Sequence, residues 1–178
     1  MALTKAPAEV AAAARHQLLL EDVSAGDEIP AFTLPLTLQR LVMEAGVNRD
    51  YTPLHHDDED TRLTGAPRSY ANTMFIQAFI EAALRSWMGD RGQLRELGIK
   101  MVSFNLAGSL VSAAGVVTAV DGDGNGGPRN VHIDVWMRSD ETLTVTGTAV
   151  VSLPSNCDST RTNGSTDASD KEIAGDQS

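Results

Sequence analysis

The chain has 178 residues, 42% of them hydrophobic and 21% charged, which is enough for one domain of ordinary size with a real core. Its formal net charge of −10 argues against the concentrated basic surface that nucleic-acid binding requires, and a single cysteine, Cys157, excludes a disulfide scaffold. Glu9, Arg15 and His16 interrupt the N-terminal alanines and residues 18–20 are too short an apolar run to span a bilayer, so the expected location is cytoplasmic, with no membrane partner.

Residues 1–24 read as an N-terminal extension. A short extended segment at residues 32–36 is followed by Leu38, Leu41, Val42 and Ala45 at helical spacing, a helix that Gly46 should stop. The next segment, Asp50-Tyr51-Thr52-Pro53-Leu54-His55-His56-Asp57, should be an extended turn, because Pro53 fixes its own φ and pushes Thr52 out of helical geometry. Residues 57–63 begin with carboxylates that suit a helix N-terminus, and Gly65-Ala66-Pro67 ends that turn. A long amphipathic helix is predicted over residues 70–87. Tyr70, Met74, Phe75, Ala78, Phe79, Ala82, Ala83 and Trp87 form its apolar stripe, with Gln77, Glu81 and Arg85 opposite.

Strands are predicted over residues 99–106, 109–120, 131–137 and 142–153, with Gly/Asp-rich punctuation between Val120 and Asn130. Strands this close in sequence favour antiparallel pairing, so the fold class is α+β, a curled antiparallel sheet wrapped around a long central helix. The domain should span residues 25–154. Residues 155–178 are polar, with Ile173 the only large aliphatic side chain, and should form a disordered acidic tail.

Chemistry points to the loop at 50–57. Asp50 and His55 stand five positions apart on a proline-stiffened turn, which can aim a carboxylate and an imidazole at one small molecule. The plain alternative is a solvated acidic loop. A metal site built on His55, His56 and Asp57 is disfavoured, because adjacent ligands rarely converge on one ion and the chain has no cysteine cluster. Asp121-Gly122-Asp123-Gly124-Asn125-Gly126 matches the first half of an EF-hand loop, but its twelfth position is His132, so a hairpin turn is the better reading.

With these residues in view, the pattern Asp50-x-Thr-Pro-Leu-His55-x-Asp57, then Gly65, then Ala71-Asn72-Thr73-Met74 opening a long helix, resembles the signature of the MaoC-like, (R)-specific enoyl-CoA hydratases. The resemblance runs from about Phe32 to Leu153. It implies a hot dog fold and reversible hydration of a 2-enoyl-CoA to a (3R)-hydroxyacyl-CoA, with Asp50 and His55 sharing the proton roles. It also implies that the backbone N–H of Thr73 faces the thioester oxygen, with Asn72, Tyr70 and Arg68 as substrate-binding neighbours and with neither metal nor cofactor. Within the family the loop is most similar to small subunits of actinobacterial steroid side-chain hydratases. Expected partners are therefore an acyl-CoA thioester, bulky or polycyclic, and either a second copy or a second MaoC-like subunit. Arg49, Arg62, Arg68, Arg91, Arg95 and Lys100 could supply a basic patch for coenzyme A phosphates. Three departures stand out: Thr52 for the family's Asn, Arg49 for Gly, and Asn72-Thr73 for His-Gly. They leave two other readings open, a dehydratase of 3-hydroxyacyl thioesters and a non-catalytic subunit that binds acyl-CoA or stabilises a partner.

Overall fold

The computed structural model describes residues 17–122 and 129–156. The alanine-rich start, the Asp/Gly-rich turn at 123–128 with its EF-hand likeness, and the chain beyond 156 lie outside the described residues. Five strands form one antiparallel sheet in the order β1-β3-β4-β5-β2: β1 (Glu28–Pro35), β2 (Gln93–Met101), β3 (Leu110–Val120), β4 (Asn130–Ser139) and β5 (Thr142–Ser152). Helices α1 (Leu38–Asn48) and α2 (Asp58–Arg62) precede the long α3 (Thr73–Met88). The expected α+β arrangement, a curled sheet around a long helix, is what the chain adopts.

Alternation writes the sheet's inner face. On β4, Val131, Ile133, Val135 and Met137 are buried while His132, Asp134, Trp136 and Arg138 take the opposite side. These side chains meet Ile76, Ile80, Leu84 and Met88, each at most 2% exposed, which with Phe75, Phe79 and Ala83 form the buried face of α3. The stripe is thus rotated from the expected one. Met74 is half-exposed and Ala78 is exposed, whereas the buried Ile76, Ile80 and Leu84 were not assigned to it.

Other boundaries move for local reasons. Asn72 caps α3 by accepting from Phe75 N–H, so the helix starts at Thr73 and Tyr70 lies before it, bridged to Leu106. Gly46 does not stop α1. A Cβ there would meet nothing within 4 Å, and a solvent-facing glycine weakens a helix by only about 1 kcal/mol, so α1 runs to Asn48 and ends at Arg49 in the left-handed conformation, φ 57°. The strand expected at 99–106 begins instead at Gln93 and ends at Met101; a bulge between Leu94 and Glu96 and the charges Arg95, Glu96 and Lys100 hide it in the sequence.

The β2–β5 pair gives a direct test. A Cβ on Gly147 would lie 2.2 Å from the Gly98 carbonyl oxygen, against backbone that cannot yield, whereas a Cβ on Gly98 would make ordinary contact with Thr148 Oγ1 at 3.7 Å. Gly147→Ala should therefore destabilise the domain by about 1–3 kcal/mol or more, and Gly98→Ala by much less, as read from denaturant midpoints. Equal effects would contradict the close approach.

Candidate active site

Local chain geometry brings Asp50 and His55 together. After α1 ends at Arg49, the Asp50 N–H bonds back to the Ala45 carbonyl (2.9 Å), which turns the carboxylate toward the start of α3. Asp50 Oδ1 accepts from Thr52 N–H (3.3 Å), a local Asx-type turn, and Thr52 is extended at φ −61°, ψ 125°, as a residue before proline should be. Pro53–His55 then form one turn of 3-10 helix that carries His55 inward, to 6% exposure. The loop is extended as expected up to Thr52 and tightens only after the proline.

Two contacts define the imidazole. His55 Nδ1 lies 2.7 Å from the Tyr70 carbonyl oxygen, which can only accept, so Nδ1 carries a proton. Nε2 lies 3.1 Å from Asp50 Oδ2. A proton must stand between that nitrogen and that oxygen for the contact to be attractive, so the pair holds one transferable proton. The Tyr70 ring meets His55 edge-on at 5.7 Å and packs against Phe104 at 4.7 Å, walling the imidazole on one side.

The Asp50 carboxyl is held below the usual carboxylate range, first by a hydrogen bond from the Thr52 side chain and then by one from Asn72, which together outweigh partial burial; Thr52 N–H and the His55 charge add smaller contributions in the same direction. Asn72 Nδ2 donates to Asp50 Oδ2 at 3.0 Å. Beside the pair, Glu44 is pushed up by burial, and its charge is coupled to both His55 and Asp50. Glu44 lines a groove of 710 Å³ between α1 and α3, with apolar walls from Met43, Val47, Met74, Phe75 and Ala78. A largely apolar, open groove thus runs from Glu44, whose charge reaches both Asp50 and His55.

The structure joins Asp50, His55, Asn72 and Tyr70 in one contact network and places Thr73 at the first position of α3, where a helical N–H has no acceptor within its own helix. Arg68 stands apart from that network, exposed, with its guanidinium over Gly108 and its charge acting on Asp58. His56 is exposed, and among the described residues no group of three His, Cys, Asp or Glu side chains is placed to hold a metal. The extended backbone of Thr52 and its departure from the family pattern were legible in the sequence, but its hydrogen bond to Asp50 was missed, although its position two residues after an Asp is itself the Asx-turn signal. Asp58 and Ser69 were missed as well. Asp58 Oδ1 accepts from both Ser69 N–H and Ser69 Oγ–H at 2.7 Å, a clip that holds the chain on which Tyr70 presents its carbonyl to His55. No spacing rule links residues eleven apart across a loop.

No family model matches the chain, and no curated protein matches it by sequence. Solved structures do. A chain of the ChsH1–ChsH2 complex from Mycobacterium tuberculosis is 22% identical with a TM-score of 0.66, the match covering 73% of this chain and 98% of that one. The (R)-hydratase from A. caviae involved in PHA biosynthesis is 20% identical with a TM-score of 0.68, covering 75% of this chain and 99% of that one. A MaoC-like dehydratase is 23% identical with a TM-score of 0.70, covering 77% of this chain and 42% of that one. These likenesses establish the fold as the hot dog fold.

The Asp58 clip carries a pH dependence. Its carboxyl is lowered, chiefly by the Ser69 hydroxyl and then by Ser69 N–H, so the stabilisation it gives is complete above the unfolded-chain value and is lost as pH falls through the lowered folded value. The difference in thermal midpoint between the protein and its Asp58→Asn variant should be widest at neutral pH and close in acid. A difference independent of pH would contradict the clip.

Proposed function

We propose that the protein is a MaoC-like hydratase that adds water reversibly to a 2-enoyl-CoA, giving a (3R)-hydroxyacyl-CoA. The observation that carries this reading is the Asp50–His55 contact at 3.1 Å, set beside both an apolar groove and the N-terminus of α3. Hydration needs proton transfer to and from a single water, together with donors for an oxygen that gains charge. Asp50 and His55 bind that water and share its protons. The water oxygen bonds to C3 as the C2–C3 π bond breaks, and a proton is delivered to C2. Charge that builds on the thioester oxygen meets the Thr73 N–H, where the helix dipole adds to the hydrogen bond. The same pair run in reverse is a dehydratase of 3-hydroxyacyl thioesters. Likeness to a MaoC-like dehydratase supports keeping both directions within one reading.

The resemblance of the loop to steroid side-chain hydratases points to a bulky acyl group, for which the apolar walls of the groove offer a surface. The stereochemistry rests on the MaoC-like resemblance and the likeness to an (R)-hydratase. A partner subunit is supported by α1, which buries only Leu41 and Ala45 and presents Leu38, Val42, Met43 and Val47 outward, 46–83% exposed. A second hot dog subunit, of this chain or a MaoC-like relative, would pack along that face and close the groove from outside, with Met43 and Val47 shared between the two; the ChsH1–ChsH2 complex is a solved association of two chains. No helix of the described residues is long and apolar enough to cross a membrane, and a cytoplasmic location fits the substrate class.

Loss of the conjugated enoyl-thioester absorbance measures the reaction, with the protein alone and with a MaoC-like partner, on straight-chain and steroid-side-chain substrates. Asp50→Asn should lower the rate by about 10²–10⁴-fold in a protein with unchanged circular dichroism and assembly. Activity that survives in Asp50→Asn would remove the carboxylate from the reaction. Inactivity of the unmodified protein in every pairing would favour the non-catalytic subunit.

A further inference from the structure

Asn72 sits where α3, the loop and the carboxylate meet, and it is 6% exposed. Its Oδ1 accepts from Phe75 N–H at 2.8 Å, which fixes the amide's orientation, because only the carbonyl end can take that proton. The amide nitrogen is thereby turned to Asp50 Oδ2, 3.0 Å away. Helix capping alone is served as well by Ser, Thr or Asp, so capping does not explain an amide here. A serine cap has no donor at the reach of Nδ2, and an aspartate cap would set a second carboxylate against the first. Asparagine supplies an acceptor for the helix and a donor for the carboxylate from one planar group.

From this geometry we infer that Asn72 is a positioning residue for proton transfer: it locks the Asp50 carboxylate in register with the first turn of α3 and does not bind substrate. This rests on the reading of Asp50 and His55 as the proton-transferring pair and gives Asn72 a role in it. One oxygen, Asp50 Oδ2, faces both His55 Nε2 and Asn72 Nδ2, so the donor that fixes the carboxylate also fixes the line along which the shared proton moves. The carboxylate and the Thr73 N–H are then set by one residue, since Thr73 directly follows the cap. The groups facing Asp50 are the Thr52 hydroxyl and N–H, Asn72, His55 and, through its charge, Glu44. Of these, only Asn72 caps α3.

Asn72→Ser and Asn72→Asp in the full chain separate the two roles, since both keep the cap and neither keeps the donor. Carbon-13 NMR of the side-chain carboxyls follows Asp50 without any assumption about activity, and Asp50→Asn assigns its signal. Asp50 should titrate at higher pH in Asn72→Ser than in the unmodified protein, and higher still in Asn72→Asp, with thermal midpoints showing a folded domain. In hydration assays kcat should fall about 10- to 100-fold with KM little changed, and the acid limb of the pH profile should move to higher pH. An Asp50 titration unmoved in both folded variants overturns the inference, as does a rise in KM with kcat intact, the mark of a substrate contact. If Asp50 shifts in the variants while the unmodified protein hydrates no thioester, the locking role stands and the proposed reaction falls.

Discussion

Asp50 Oδ2 is the point on which the loop, the imidazole and the central helix converge. It meets His55 Nε2 at 3.1 Å and Asn72 Nδ2 at 3.0 Å, and the other carboxylate oxygen closes the Thr52 turn. Each of these groups is fixed from behind. The Tyr70 carbonyl holds the imidazole, Phe75 N–H holds the Asn72 amide, and the Ala45 carbonyl holds the Asp50 backbone. Two charged or chargeable groups remain partly dry because the atoms hydrogen-bonded to the carboxylate are all donors, which offsets the like charge of Glu44 nearby.

The scaffold explains why this point can be rigid. Helix α3 buries Ile76, Ile80, Leu84 and Met88 against the inner face of the sheet, so its first turn cannot slide or rotate without breaking the core. Ala71 N–H bonds to the Asn105 carbonyl at 2.9 Å and Ala107 N–H to the Ser69 carbonyl at 2.8 Å, which ties the approach to α3 to the chain after β2. The site is built on elements that hold position, whereas α1, with Leu41 and Ala45 as its only buried residues, leaves Leu38, Val42, Met43 and Val47 uncovered.

Much of this was legible in the sequence. Pro53 constrains two residues by sterics alone, so the extended geometry of Thr52 and the approach of Asp50 to His55 could be read without tertiary information. Alternation on β4 and on β3 was equally plain. Other features depend on partners distant in the chain. The start of α3 depends on a cap whose amide also answers to Asp50, and the exact face it buries depends on where the sheet lies, so Ile76 and Ile80 were displaced from the expected stripe by Met74 and Ala78. Strand β2 is an edge strand with a bulge and several charges, which breaks the period-two signal on which strand reading relies. The pairing of Asp58 with Ser69 leaves no local trace at all. The family resemblance rests on the loop and the opening of α3, where Pro53 and the Asn72 cap fix the backbone.

The most direct measurement is hydration of a 2-enoyl-CoA in deuterated water by the assembled protein, with the product read by NMR and mass spectrometry. Addition of water by the Asp50–His55 pair requires a 3-hydroxyacyl thioester carrying one solvent deuterium at C2, and the proposed MaoC-like reading predicts the R configuration at C3. An enoyl thioester returned unchanged by the folded protein, alone and with a MaoC-like second subunit, would contradict it.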